Sequence, residues 1–60
     1  MTTTHIMGYT ITERELDNGW YELSTLAYSM GEEYRERMRY SYKPTYDDYK
    51  RFIERVERSK

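Results

Sequence analysis

The sequence predicts an α+β domain: a three-stranded antiparallel β-meander with one C-terminal α-helix packed on one face, in the order β-β-β-α. Three observations carry this expectation. Residue types alternate along Tyr9–Leu16, Trp20–Ser29 and a run from Glu33 or Tyr34 to Tyr42, which is the period of a strand. Asp17-Asn18-Gly19 separates the first two runs and is a strong hairpin signal. Tyr46, Tyr49, Ile53 and Val56 recur at three- and four-residue spacing, the stripe of an amphipathic helix.

Taken in order, residues 1–8 are polar, show no period, and read as a flexible N-terminal arm; residues 9–60 read as a single small domain. The first strand is rich in Thr, Ile and Tyr. Its turn closes best as a three-residue loop with Gly19 in the left-handed bulge position, because that register sets Arg14 opposite Glu22. A two-residue Asn18-Gly19 turn would instead set Glu15 against Glu22, a like-charge pair. The longer loop also gathers Tyr9, Ile11, Tyr21, Leu23 and Ala27 on one face. Met30-Gly31 is the next turn. Residues 32–42 contain good helix formers, but Tyr34, Glu36, Met38, Tyr40 and Tyr42 alternate with Arg35, Arg37, Arg39 and Ser41. On a helix those residues would scatter round every face, so a strand is expected. Pro44 ends the run, Thr45 is the expected N-cap of a Thr45–Arg58 helix, and Asp47 and Asp48 suit its first turn. Phe52 flanks and widens the helix stripe. The expected core is Ile11, Tyr21, Leu23, Met38, Tyr40, Tyr49, Phe52, Ile53 and Val56. Glu36 falls awkwardly on this face, where a place at the sheet edge or an arginine of the helix would accommodate it.

One helix covers one side of the sheet. By parity the other carries Thr10, Thr12, Arg14, Leu16, Trp20, Glu22, Ser24, Leu26 and Tyr28, followed by Arg35, Arg37, Arg39 and Ser41. Its four arginines against Glu22 give +3, although ten Lys+Arg and eleven Asp+Glu leave the 60-residue chain at −1. Tyr, Trp and Arg are the types enriched at binding hot spots, since each joins large contact area to a polar handle. Trp20, Leu26, Tyr28, Arg35, Arg37 and Arg39 are therefore the expected partner-binding residues. A plain solvated sheet face, with arginine stems lying over the aromatics, is the simpler alternative.

Catalytic chemistry is not expected. With no Cys and one His, His5, neither a thiolate metal site nor a cysteine nucleophile is available. Glu32-Glu33 and Asp47-Asp48 read as a charged turn and a helix start rather than an acid/base pair. Gly8, Gly19 and Gly31 are isolated and form no phosphate-binding loop. No cofactor and no metal are expected. The absence of a long apolar run and of signal-peptide character points to a cytoplasmic protein without membrane contact.

The leading functional expectation is a non-enzymatic module that binds a larger protein or ribonucleoprotein, the alternative being DNA or RNA binding through the sheet. A small core and a free strand edge would also be served by a symmetric homodimer. The stretch from Asn18-Gly19-Trp20-Tyr21 through the arginine strand to the Tyr46–Val56 helix resembles, in layout, the arm-type DNA-binding domain of phage integrases and the plant AP2 domain. That resemblance implies DNA binding, although the acidic balance departs from those basic domains. The Tyr-rich strands, the Glu32-Glu33 and Asp47-Asp48 pairs and the lack of enzyme motifs resemble small phage and mobile-element proteins, anti-CRISPR inhibitors among them. The implication there is a stoichiometric inhibitor acting in the host cytoplasm.

Overall fold

The computed structural model of the chain describes residues 1–58. Four strands, β1 (Thr2–Ile6), β2 (Tyr9–Glu15), β3 (Tyr21–Ser29) and β4 (Glu32–Tyr40), precede one helix, α1 (Tyr46–Arg58). The sheet is an antiparallel meander in the order β1-β2-β3-β4. The α+β class and the C-terminal helix stand as expected, but the sheet has four strands rather than three. Residues 2–6, expected within an arm at 1–8, form the additional one.

The reason lies in the turn that follows them. Ile6 pairs with Tyr9 across Met7-Gly8, and both loop residues have positive φ, 51° and 82°. Two consecutive left-handed residues make the two-residue turn whose twist suits a hairpin. Met30-Gly31 repeats the device between β3 and β4, at φ 52° and 81°. β1 shows no hydrophobic period because Ile6 is its only apolar residue. That single side chain is nonetheless buried in the core, and the β-branched threonines before it suit a strand.

The β2–β3 turn matches the three-residue loop chosen on charge. Leu16 N–H donates to Trp20 O at 2.7 Å, Gly19 N–H donates to Leu16 O at 3.0 Å, and Gly19 has φ 84°. Asn18 Oδ1 accepts from Trp20 N–H at 3.0 Å and fixes the loop from within. The resulting register pairs Arg14 with Glu22.

The helix starts in a reciprocal cap. Thr45 Oγ1 accepts from Asp48 N–H at 3.4 Å, and Asp48 Oδ2 accepts from Thr45 N–H at 2.9 Å. Tyr42 Oη donates to Asp48 Oδ1 at 3.0 Å and ties the incoming chain to the cap. The Thr45 backbone hydrogen bond, with Tyr42 assisting, holds the Asp48 carboxyl below its ordinary value despite partial burial.

The core is Ile6, Ile11, Leu23, Ala27, Tyr40, Tyr49, Phe52, Ile53 and Val56, with Tyr9, Tyr34 and Met38 packed at its margin. Two expected core residues sit differently. Tyr21 is half-buried, with Lys43 Nζ 5.5 Å from its ring centroid. Met38 is marginal because β4 is the last strand and α1 covers it only in part. The same edge position accommodates Glu36, half-buried opposite Thr25. No helix among the described residues is long and apolar enough to cross a membrane.

Candidate binding face

Alternation sends every second side chain of the sheet away from α1. Cross-strand pairing groups them: Thr12 with Ser24 and Ser24 with Arg37, then Glu22 with Arg39, Leu26 with Arg35, and Tyr28 with Glu33. Thr12, Arg14, Ser24, Arg35, Arg37 and Arg39 border a shallow concavity of about 460 Å³ on this face.

The four arginines are not equivalent. Glu22 lies between two of them, its carboxylate 3.3 Å from Arg14 Nη2 and 3.5 Å from Arg39 Nε. Arg35 reaches Ser24 Oγ at 3.5 Å. Among the described residues, no carboxylate stands within ion-pair distance of Arg35 or Arg37. The positive charge open to a partner is therefore concentrated on those two, beside Leu26, which is 43% exposed. Glu33 also belongs to this face, so four arginines stand against two glutamates and the face carries +2 rather than the expected +3.

The aromatic residues stand apart from that centre. Tyr28 is exposed, and its Oη donates to Glu33 at 2.8 Å, a bond that holds the phenol above its ordinary value. Trp20 is exposed at the other end, one residue before β3 begins. At about 3.3 Å per residue, Trp20 and Tyr28 lie on the order of 26 Å apart. Leu26, Tyr28, Arg35, Arg37 and Arg39 thus share a face, with Arg35, Arg37 and Leu26 at its middle and Tyr28 at one end, while Trp20 stands just beyond the other end of β3. His5 also lies here, hydrogen-bonded to Thr10 Oγ1 at 3.1 Å.

A buried polar cluster beneath the sheet was not anticipated. Glu13 is buried, and its carboxylate accepts from Tyr49 Oη at 2.6 Å and from Lys43 Nζ at 2.9 Å. Burial pushes the Glu13 carboxyl upward, but the hydrogen bonds from Tyr49 and Lys43 outweigh it and hold the group below its ordinary value. Burial, and then the Glu13 carboxylate, push the Tyr49 phenol up to about 12. Glu13 stands two residues after Ile11, so strand parity alone marks it as inward. Its two donors make it a structural joint between β2, the Tyr42–Thr45 connection and α1.

Among the described residues no group of three or more His, Cys, Asp or Glu is placed to hold a metal ion. No protein-family model, curated protein or solved structure matches the chain.

Proposed function

We propose that the chain is a small non-enzymatic binding module that engages a larger protein or ribonucleoprotein through the face of the sheet opposite α1. One observation carries the reading: Arg35 and Arg37 stand without carboxylate partners beside exposed Leu26, on a face no element of the described chain covers. A guanidinium supplies planar, directional donors for carboxylate or phosphate, and an adjacent apolar side chain adds desolvated area. Such a module acts stoichiometrically, by occluding or holding its partner.

Nucleic acid is the second reading. It is favoured by the hydroxyls of Thr12 and Ser24 beside Arg35 and Arg37, a grouping suited to phosphate oxygens. The separation of Trp20 from Tyr28 weighs against it, because stacking readers set successive aromatics within reach of adjacent bases.

Fluorescence anisotropy with duplex and single-stranded DNA, at low and moderate salt, separates the two. The module reading expects little binding. Binding that weakens steeply with salt, and vanishes when Arg35, Arg37 and Arg39 are all changed, would establish the nucleic-acid reading instead. Affinity capture with the Arg37→Glu and Leu26→Ala variants completes the test, with circular dichroism as the folding control. Partner retention by both folded variants would reject the face as the contact surface.

A further inference from the structure

We propose that the free edge of β4 is a strand-addition site for an extended acidic segment of a partner protein. The inference rests on the reading above for the arginine row of β4. Backbone pairing and a second arginine row are new to it.

As the last strand of the sheet, β4 directs alternate N–H and C=O groups away from β3. Two rows of arginine flank that edge. Arg35, Arg37 and Arg39 project on the open face. On the other side, Arg51, Arg55 and Arg58 recur at helical spacing and share one stripe of α1. Arg55 Nη1 lies 4.0 Å from Met38 Sδ, which sets this stripe against the second half of β4. Met38, Tyr40 and Tyr42 join the three helix arginines around a concavity of about 340 Å³. Asp48 also borders it, but its carboxylate is already engaged by Thr45 and Tyr42. Of the acids of β4, Glu32 and Glu33 open the strand and Glu36 is its central residue, so the half beyond Glu36, with Arg37 and Arg39, is the positive one.

A strand added there would run about 4.8 Å from β4. Its side chains would alternate between the two arginine rows, so carboxylates on both of its faces would meet guanidinium groups. Alternating apolar residues would instead set a hydrocarbon face against one row. A second copy of β4 is a poorer occupant. Full-length antiparallel pairing keeps like faces together, sets Arg35 opposite the copy's Arg37 twice and Glu36 opposite its own copy, and the two Arg39–Glu33 pairs of that register offset these only in part. The opposite edge, β1, offers Thr2, Thr3 and Thr4 with no such rows. The two edges therefore differ in charge, and the arginine edge selects an acidic guest.

The probe is a short synthetic peptide of Glu, Val and Thr with carboxylates on both strand faces, together with a twin N-methylated at alternate amides. Nuclear magnetic resonance titration of the whole chain is expected to show binding, with slowed exchange at the outward amides of β4. The N-methylated twin should bind at least about tenfold more weakly, since it cannot pair along the edge. Changing Arg51, Arg55 and Arg58 together to Gln should weaken the unmodified peptide by about tenfold. If that variant unfolds, amide protection in the native chain still decides. Equal binding of the twin would overturn the proposal, as would shifts confined to Thr12, Ser24 and Leu26, and the latter result would leave the open-face reading standing. Absence of peptide binding would also overturn it, as would displacement of the peptide by single-stranded oligothymidylate at lower concentration.

Discussion

Tyr49 on the helix donates to Glu13 on the second strand at 2.6 Å, joining residues 36 apart in sequence beneath the sheet. This bond places a carboxylate inside a very small core and makes the docking of α1 depend on protonation at both ends of the pH scale.

Replacing Tyr49 with Phe removes the donor and keeps the ring. The loss is expected to be about 2 kcal/mol, the cost of a hydrogen bond to a charged buried group, read from urea unfolding at neutral pH. The alkaline limb should change as well. Unfolded Tyr releases its proton near 10, whereas Tyr49 in the fold keeps it to about 12. Its stabilisation is therefore complete below 10 and is lost as pH rises toward 12. Lys43, held above its ordinary value by its hydrogen bond to Glu13, adds to the same limb. A shallower alkaline decline in Tyr49→Phe is the expected result, and an unchanged decline would place the titration elsewhere.

The acid limb has the opposite sign. Glu13 and Asp48 are both depressed from ordinary values of 4.5 and 3.8. Each contributes stability that is present above those values and is lost as pH falls through the lower folded-state values. Unfolding midpoints followed downward from 4.5 should fall steadily, and Asp48→Asn should flatten the lower part of that decline.

Ile6→Ala tests whether β1 belongs to the fold. With Ile6 only 7% exposed, truncation should cost about 2 kcal/mol or more. A loose arm would give almost no change in the thermal midpoint.

Met30→Asn should stabilise. Met30 is fully exposed at φ 52°, so the substitution removes no packing and replaces a side chain that tolerates left-handed backbone poorly with one that tolerates it well. The gain should be about 0.5–1 kcal/mol, measured as a shift of the urea midpoint at unchanged slope.

The parts legible in the sequence are those where local chemistry and tertiary demand agree. The β2–β3 loop could be chosen because one register opposes Arg14 to Glu22 and the other opposes two glutamates. The helix could be placed because Thr45, Asp48 and the apolar stripe all mark one start. β1 was hidden because three threonines and a histidine carry no period, yet Met7-Gly8 is the same dipeptide as Met30-Gly31 and forms the same turn. The inward position of Glu13 followed from parity with Ile11, but a carboxylate at a core position is expected only once donors are in view. Lys43 and Tyr49 are 30 and 36 residues away. The arginine row of β4 was visible as an alternation. The row on α1 was not, because Arg51, Arg55 and Arg58 gain meaning only when the helix lies beside Met38.

The meander order also sets the sequence of events by which the molecule assembles. Each strand's sheet neighbours are the strands adjacent to it in the chain, linked by turns of two or three residues, so hairpins can zip in roughly 1–10 μs each. The helix must close far longer loops to reach Glu13, and the Glu57–Tyr9 contact at 2.5 Å spans 48 residues. The expected order is therefore hairpin zipping first and seating of the helix last. Tyr49→Phe should accordingly act mainly on the unfolding rate and leave the folding rate nearly unchanged, as read from stopped-flow kinetics.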